Sequence, residues 1–182
     1  EGNDLLYGGA GNDQLSGGDG ADRYVLARGG LADSINNTDA DALGVNADRI
    51  VVDLGIVPTD VVLRRSGNDL IVLINGTDDQ LSVNGYFIAD ASTNSAIEYI
   101  EFLQDGTLWD IATVKTLVQQ GSLSADNLQG YASADVIYGG LSDDTITGQQ
   151  GMDQLYGDQG SDSLSGNQGD DQLFGGVGND NL

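Results

Sequence analysis

Asp126, Asp135, Asp144, Asp153, Asp162, Asp171 and Asp180 fall nine residues apart. Two residues after each comes an aliphatic residue: Leu128, Ile137, Ile146, Leu155, Leu164, Leu173 and Leu182. Five residues before each comes a glycine: Gly121, Gly130, Gly139, Gly148, Gly157, Gly166 and Gly175. The same beat opens the chain at Asp4, Asp13 and Asp22, followed by Leu6, Leu15 and Tyr24. A repeat this regular sets the architecture before local propensity does, because a unit that cannot bury its own apolar face stacks on copies of itself. An acid held in register inside glycine-rich loops reads as a ladder of metal ligands, since a solubilising charge needs no register.

Each unit divides into a six-residue loop and a three-residue strand. Glycine admits positive φ and tight turns in the loop. In the strand one aliphatic side chain points inward and its neighbours point outward. Two units make an 18-residue coil with two strands and two loops. One inward aliphatic residue per nine buries too little surface to offset the ordering of nine residues. The loops therefore need a ligand. Calcium takes six to eight oxygens from carboxylates and carbonyls, and a glycine-rich loop ending in Asp offers both kinds. Alternate loops stack, so one row ends at Asp126, Asp144, Asp162 and Asp180 and the other at Asp135, Asp153 and Asp171. These rows allow about five sites between loops.

The pattern G-G-x-G-x-D, followed by x, an aliphatic residue and x, resembles the nonapeptide repeat of the RTX (repeats-in-toxin, haemolysin-type calcium-binding) family, a calcium-binding β-helix. Residues 1–25 and 121–182 carry it. The segment 26–120 resembles the haemolysin-type calcium-binding-related segment, through R-S-G-N-D-L-I-V, G-T-D-D-Q-L-S-V-N-G-Y-F and F-L-Q-D-G-T-L-W-D. The whole chain also resembles a repeat block of bacterial adenylate cyclase toxins. The resemblance implies a mostly β fold, a parallel β-roll flanking a small β-rich segment with one helix, and several bound Ca2+ ions. It implies metal ligands at Asp4, at Gly8, Gly9, Gly11 and Asp13, and at Gly17, Gly18, Gly20 and Asp22. In the C-terminal block it implies Asp135, with Gly139, Gly140 and Asp144, then Gly148, Gly151 and Asp153, then Gly157, Asp158, Gly160 and Asp162. The last two loops add Gly166, Asn167, Gly169 and Asp171, and Gly175, Gly176, Gly178 and Asp180. Ser124, Ser133 and Ser142 stand where the pattern has its fourth-position glycine, and Ser122 and Tyr131 replace the second-position residue. The turn is harder to form there, so ion occupancy is expected to weaken at that end.

Composition excludes other classes. Among 182 residues, 29 are acidic and 6 basic, a formal charge of -23. Phosphate binding needs a basic footprint, so nucleic acid is not a partner. Such charge opposes compaction unless cations offset it. The chain has no Cys and no His, which removes zinc sites and Cys or His nucleophile–base pairs. No catalytic constellation is present, and the chain reads as a non-enzymatic piece of a longer protein. No apolar run approaches the ~20 residues of a membrane span, and no signal peptide is seen.

Between the repeats, Arg49–Leu54 reads as a strand, Val61–Arg65 and Leu70–Ile74 as a hairpin, and Gln80–Val83 and Ile97–Phe102 as further strands. Residues 110–120 read as a helix capped by Asp110, with Trp109 stapling its start. D-A-D-A-L-G from Asp39 fails as an EF-hand, because Leu43 and Ile50 occupy ligand positions. Asn36-Asn37-Thr38 and Asn75-Gly76-Thr77 match glycosylation sequons but read as turn composition. Glu98 and Glu101 fall on opposite faces of a strand and read as exposed charges. Arg64 and Arg65 read the same way. Tyr138, Tyr156 and Phe174 recur every 18 residues and form an outward column, matched on the other side by Gln129, Thr147 and Ser165.

By resemblance, the expected function is that of a calcium-binding module of a secreted bacterial protein, extracellular or at the cell surface. It folds on extracellular calcium and supports type I secretion, with the secretion machinery and neighbouring repeats of the parent chain as partners. The alternative is an adhesin or carbohydrate-binding accessory module of a larger protein.

Overall fold

The computed structural model describes residues 2–40 and 42–182. Asp41, part of the segment tested above for an EF-hand, lies outside them. The chain divides into two compact units, the first running to Val114 and the second from Lys115 to Leu182. The protein is mostly β with one α-helix among the described residues.

In the second unit the repeats form two parallel sheets. Strands β11 (Asn127–Gln129), β13 (Thr145–Gln150) and β15 (Ser163–Gln168) make one. Strands β12 (Val136–Tyr138), β14 (Gln154–Tyr156) and β16 (Gln172–Phe174) make the other. Register follows the 18-residue coil: Leu128 pairs with Ile146 and Ile146 with Leu164, while Ile137 pairs with Leu155 and Leu155 with Leu173. Those six side chains are the core of the roll, with Leu173 only partly buried. Alternation places the flanking polar residues outward.

The first unit is itself wound in parallel coils through both kinds of sequence. Its first sheet runs β1 (Leu5–Leu6), β3 (Arg23–Leu26), β5 (Arg49–Val52), β9 (Tyr99–Phe102) and β10 (Leu108–Asp110). All pairs are parallel except the last. Its second sheet runs β2 (Gln14–Leu15), β4 (Ala32–Ile35), β8 (Gln80–Val83), β7 (Asp69–Ile74) and β6 (Val61–Ser66), with β7 antiparallel to both neighbours. An apolar column runs Leu6, Tyr24, Ile50, Ile100 across the first sheet, and another runs Leu15, Ile35, Val83, Leu70 across the second. The strands of residues 1–25 therefore share both sheets with those of the following segment, although composition separates the two stretches.

The expected strands and hairpin are present, the hairpin turning at Gly67 with φ 60°. Three local expectations change. Helix α1 (Ile111–Leu117) is capped by Asp110, which accepts hydrogen bonds from Thr113 N–H (2.8 Å) and Oγ1 (2.7 Å). It ends before Gln120, which instead bridges to Tyr138 in the roll. Trp109 lies in β10 and meets Phe102 edge-on at 4.7 Å, so it serves the sheet rather than the helix start. Arg65 is not simply solvated: its guanidinium lies 4.9 Å from the Phe87 ring and Nε donates to Gly67 O. No helix of the described residues is long and apolar enough to cross a membrane.

Ile146 is fully buried in a core with few members, whereas Leu173 is only partly buried. Ile146→Ala is expected to destabilise the second unit by about 2–5 kcal/mol and Leu173→Ala by clearly less, measured by urea unfolding in calcium.

Candidate metal centre

The loops stack through one repeated contact. In the first row, the N–H of Asp126 donates to Asp144 Oδ1 at 2.8 Å, that of Asp144 to Asp162 Oδ1 at 2.8 Å, and that of Asp162 to Asp180 Oδ1 at 3.0 Å. In the second, Asp135 N–H donates to Asp153 Oδ1 at 2.9 Å and Asp153 N–H to Asp171 Oδ1 at 3.0 Å. Both rows expected from the coil are thus present. Each rung ties one carboxylate oxygen to the backbone and turns the other toward its own loop. Oδ2 of Asp144, Asp153 and Asp162 is buried without a hydrogen-bond partner. A buried carboxylate oxygen with no donor is costly.

The surroundings of that oxygen are other oxygens. A methyl group built on Gly139 would lie 2.5 Å from Asp144 Oδ2 and 2.7 Å from the Gly157 carbonyl. One on Gly148 would meet Asp153 Oδ2 and the Gly166 carbonyl, and one on Gly157 would meet Asp162 Oδ2 and the Gly175 carbonyl. The fourth loop position has left-handed backbone at Gly151 (φ 139°), Gly160 (149°), Gly169 (134°) and Gly178 (152°). The second position is also left-handed, at Gly140, Gln149, Asp158, Asn167 and Gly176. Among the described residues no three acidic side chains cluster as a metal site. The donor set is instead one or two carboxylates with several carbonyls, hard oxygen ligands that suit calcium. These residues fit the ion.

The start of the roll differs. Asp126 Oδ2 accepts from Ser122 N–H (2.6 Å) and Oγ (2.8 Å). Asp135 accepts from Tyr131 N–H at Oδ2 (2.6 Å) and from Gln119 Nε2 at Oδ1 (2.8 Å). Protein donors hold both carboxylates, including that of the candidate ligand Asp135. Ser142 takes the left-handed backbone (φ 75°), whereas Ser124 and Ser133 do not.

Rungs also run through the first unit. Asp4 N–H donates to Asp22 Oδ1 (2.9 Å) and Asp13 N–H to Asp33 Oδ1 (2.9 Å). Asp22 N–H reaches Asp48 Oδ1 (2.7 Å), Asp48 N–H reaches Glu98 Oε2 (2.8 Å), and Leu31 N–H reaches Asp79 Oδ1 (3.0 Å). Oδ2 of Asp13 and of Asp22 is buried and unpartnered. Loop positions Gly9, Gly11, Gly18 and Gly20 all have positive φ, while Gly8 and Gly17 lie against the Asp33 and Asp22 carboxylates. The nonapeptide register does not reveal Asp33, Asp48, Asp79 or Glu98, because these rungs span 20 to 50 residues instead of 18. The readable signal is an acid two residues before an aliphatic one: Asp33-Ser34-Ile35, Asp48-Arg49-Ile50, Asp79-Gln80-Leu81 and Glu98-Tyr99-Ile100. Glu98 is consequently a backbone acceptor rather than an idle strand charge. Glu101 pairs with Arg23 (3.1 Å) and Arg49 (3.5 Å).

Crowding acids in a desolvated row raises their proton affinity. Burial, with neighbouring carboxylates adding to it, pushes Asp22, Asp144 and Asp153 above the ordinary carboxylate value, and burial pushes Asp48 up to about 6. Burial likewise pushes Tyr24, whose hydroxyl accepts from Gly17 N–H at 3.0 Å, up to about 12. A carboxyl that holds its proton more tightly when folded adds stability that is complete below the unfolded value of 3.8 and is lost as pH rises through the folded value. In chelator, the chain should therefore be more ordered at about pH 4 than at about pH 7. Calcium affinity should move oppositely, weakening toward acid, because the ion needs ionised ligands. Circular dichroism in chelator and calcium titrations at the two pH values check both signs.

The pattern described as the RTX calcium-binding nonapeptide repeat (4 copies) matches residues 1–30, 120–155 and 147–182. The haemolysin-type calcium binding protein related domain matches residues 69–113. The chain is similar to the iron-regulated protein FrpA of Neisseria meningitidis serogroup C, 42% identical over 110 residues. That match covers 60% of this chain and 10% of the relative. With nonapeptide matches over more than half of its length, stacked carboxylate rows and parallel coils, the chain belongs to the family of RTX calcium-binding repeat proteins.

Proposed function

We propose that this segment is a calcium-driven folding module of a secreted bacterial protein. The observation that carries the reading is the unpartnered, buried Oδ2 of Asp144, Asp153 and Asp162. Without a cation these oxygens repel one another and glycine-rich loops keep their entropy, so the roll stays open. With calcium, binding free energy becomes folding free energy. Such a chain is unfolded in the calcium-poor cell and folds outside, which suits export through the narrow channel of a type I secretion system. Extracellular or cell-surface placement follows from the same reading. The segment contributes no catalysis of its own, and any activity resides elsewhere in the parent protein.

A second reading, an adhesive or carbohydrate-binding accessory, draws on one observation. Tyr138, Tyr156 and Phe174 stack with centroids 4.9 and 4.8 Å apart and rings nearly parallel, leaving Tyr138 40% and Phe174 45% exposed. Exposed aromatic side chains are a surface that sugars use. Cross-strand stacking also stabilises the sheet, so the column has a sufficient structural role.

Calcium titration followed by circular dichroism is expected to convert a largely unordered spectrum to β, with magnesium failing to do so because it demands a tight octahedral shell. A fully formed roll in excess chelator overturns the first reading. Tyr156→Ser is expected to leave the calcium response intact, and loss of binding on a panel of glycans would favour the second.

A further inference from the structure

We propose that the calcium rows continue past the recognised repeats, with Asp33 and Asp48 supplying ligands to sites whose other halves are the loops Gly8–Asp13 and Gly17–Asp22. This rests on the calcium reading above. Neither residue falls within the matched segments, which leave 31–68 uncovered.

The rungs to Asp33 and Asp48, 2.9 and 2.7 Å, match those of the roll at 2.8 to 3.0 Å. Asp33 is 7% exposed and Asp48 1%, so both carboxylates are withdrawn from water. Asp22 is fully buried, and its Oδ2 has no partner. Asp13 Oδ2 is buried without a partner too, and beside Gly8 it converges with a second carboxylate. A methyl built there would lie 2.6 Å from Asp33 Oδ2 and 3.1 Å from Asp13 Oδ2. Around neighbouring Gly30 the corresponding distances are 3.4 Å to the Gly9 carbonyl, 3.6 Å to the Ala27 carbonyl and 3.8 Å to Asp33 Oδ2. Two carboxylates and two carbonyls thus gather at this loop. At the second site Asp39, itself buried, stands close enough to act electrostatically on Asp22.

Among the described residues no Lys or Arg forms an ion pair with Asp13, Asp22, Asp33 or Asp48. The start of the roll shows the contrasting case. There Oδ2 of Asp126 and of Asp135 takes a backbone N–H at 2.6 Å, and no cation is needed. At Oδ2 Asp13 and Asp22 lack any donor, while the Asp48 carboxylate takes one side-chain hydrogen bond, from Asn37. Two converging anionic oxygens in a carbonyl-rich setting suit calcium, which takes six to eight such ligands.

The test counts ions on the intact chain by equilibrium dialysis against calcium. Asp33→Asn and Asp48→Asn are each expected to lose about one bound ion, and Asp153→Asn, in the roll, serves as the positive control. Asparagine keeps an acceptor for the Asp13 or Asp22 amide while removing the charge. Wild-type counts in both variants, with a loss in Asp153→Asn, overturn the inference and leave the calcium reading standing. No calcium bound by the wild type overturns both. Should either variant fail to fold, a crystal structure of the calcium-loaded wild type decides. An ion between Asp13 and Asp33 beside Gly8 supports the inference, and a water or a protein donor there overturns it.

Discussion

The interaction on which the structure depends is the rung between consecutive coils, a backbone N–H of one loop aspartate donating to Oδ1 of the next. It spaces the coils, fixes each carboxylate, and leaves Oδ2 facing carbonyls instead of donors. A Cβ at the first loop position would stand among those oxygens, so glycine there is set by proximity as well as by backbone freedom. The price of this arrangement is a column of desolvated negative charge, which the thin core of Ile137, Ile146, Leu155 and their neighbours is too small to offset. A cation changes the sign of the balance, which makes ion binding and folding one equilibrium under the proposed reading.

The two units resolve the same electrostatic problem with different means. The roll relies on repetition, and at its start on substitute donors from Ser122, Tyr131 and Gln119. The first unit carries a larger buried set, including Tyr24, Ile50, Val52, Leu70, Val72, Ile74, Leu81, Phe87, Ile100 and Phe102. Antiparallel strands β6, β7 and β10 add hydrogen bonds that no cation has to support. Its long-range rung to Asp48 is buried, while the one to Glu98 is only partly so.

Much of this was legible along the chain. Strict spacing named the two rows, the coil length and the register of Leu128 with Ile146, because an 18-residue coil returns every side chain to the same azimuth. The serines at 124, 133 and 142 set the start of the roll apart in the sequence, and of the three only Ser142 takes the left-handed backbone that Gly151 and its counterparts adopt. Residues 31–113 were harder. Strand identities followed from alternation, but Asp33, Asp48, Asp79 and Glu98 stand at irregular distances from the rungs they continue. Insertions of unequal length hide them; Trp109 packs on Phe102 of the neighbouring strand, and Glu98 accepts from the remote Gly44 and Asp48 amides, contacts that local alternation does not show.

The sequence by itself determined the period, the ligand chemistry and the requirement for glycine, since all three follow from residue types at constant separation. Only the tertiary structure decided where the ladder ends. Whether an aspartate keeps a bare Oδ2, as Asp144 does, or has it satisfied, as Asp135 does, depends on which donor the fold brings within hydrogen-bond reach. The donor to Asp135 Oδ1 is Gln119, 16 residues away and outside the repeat. Likewise, the union of the first repeats with the following segment depends on β3 pairing with β5 across an irregular loop, a choice made by the burial of Tyr24 and Ile50 together.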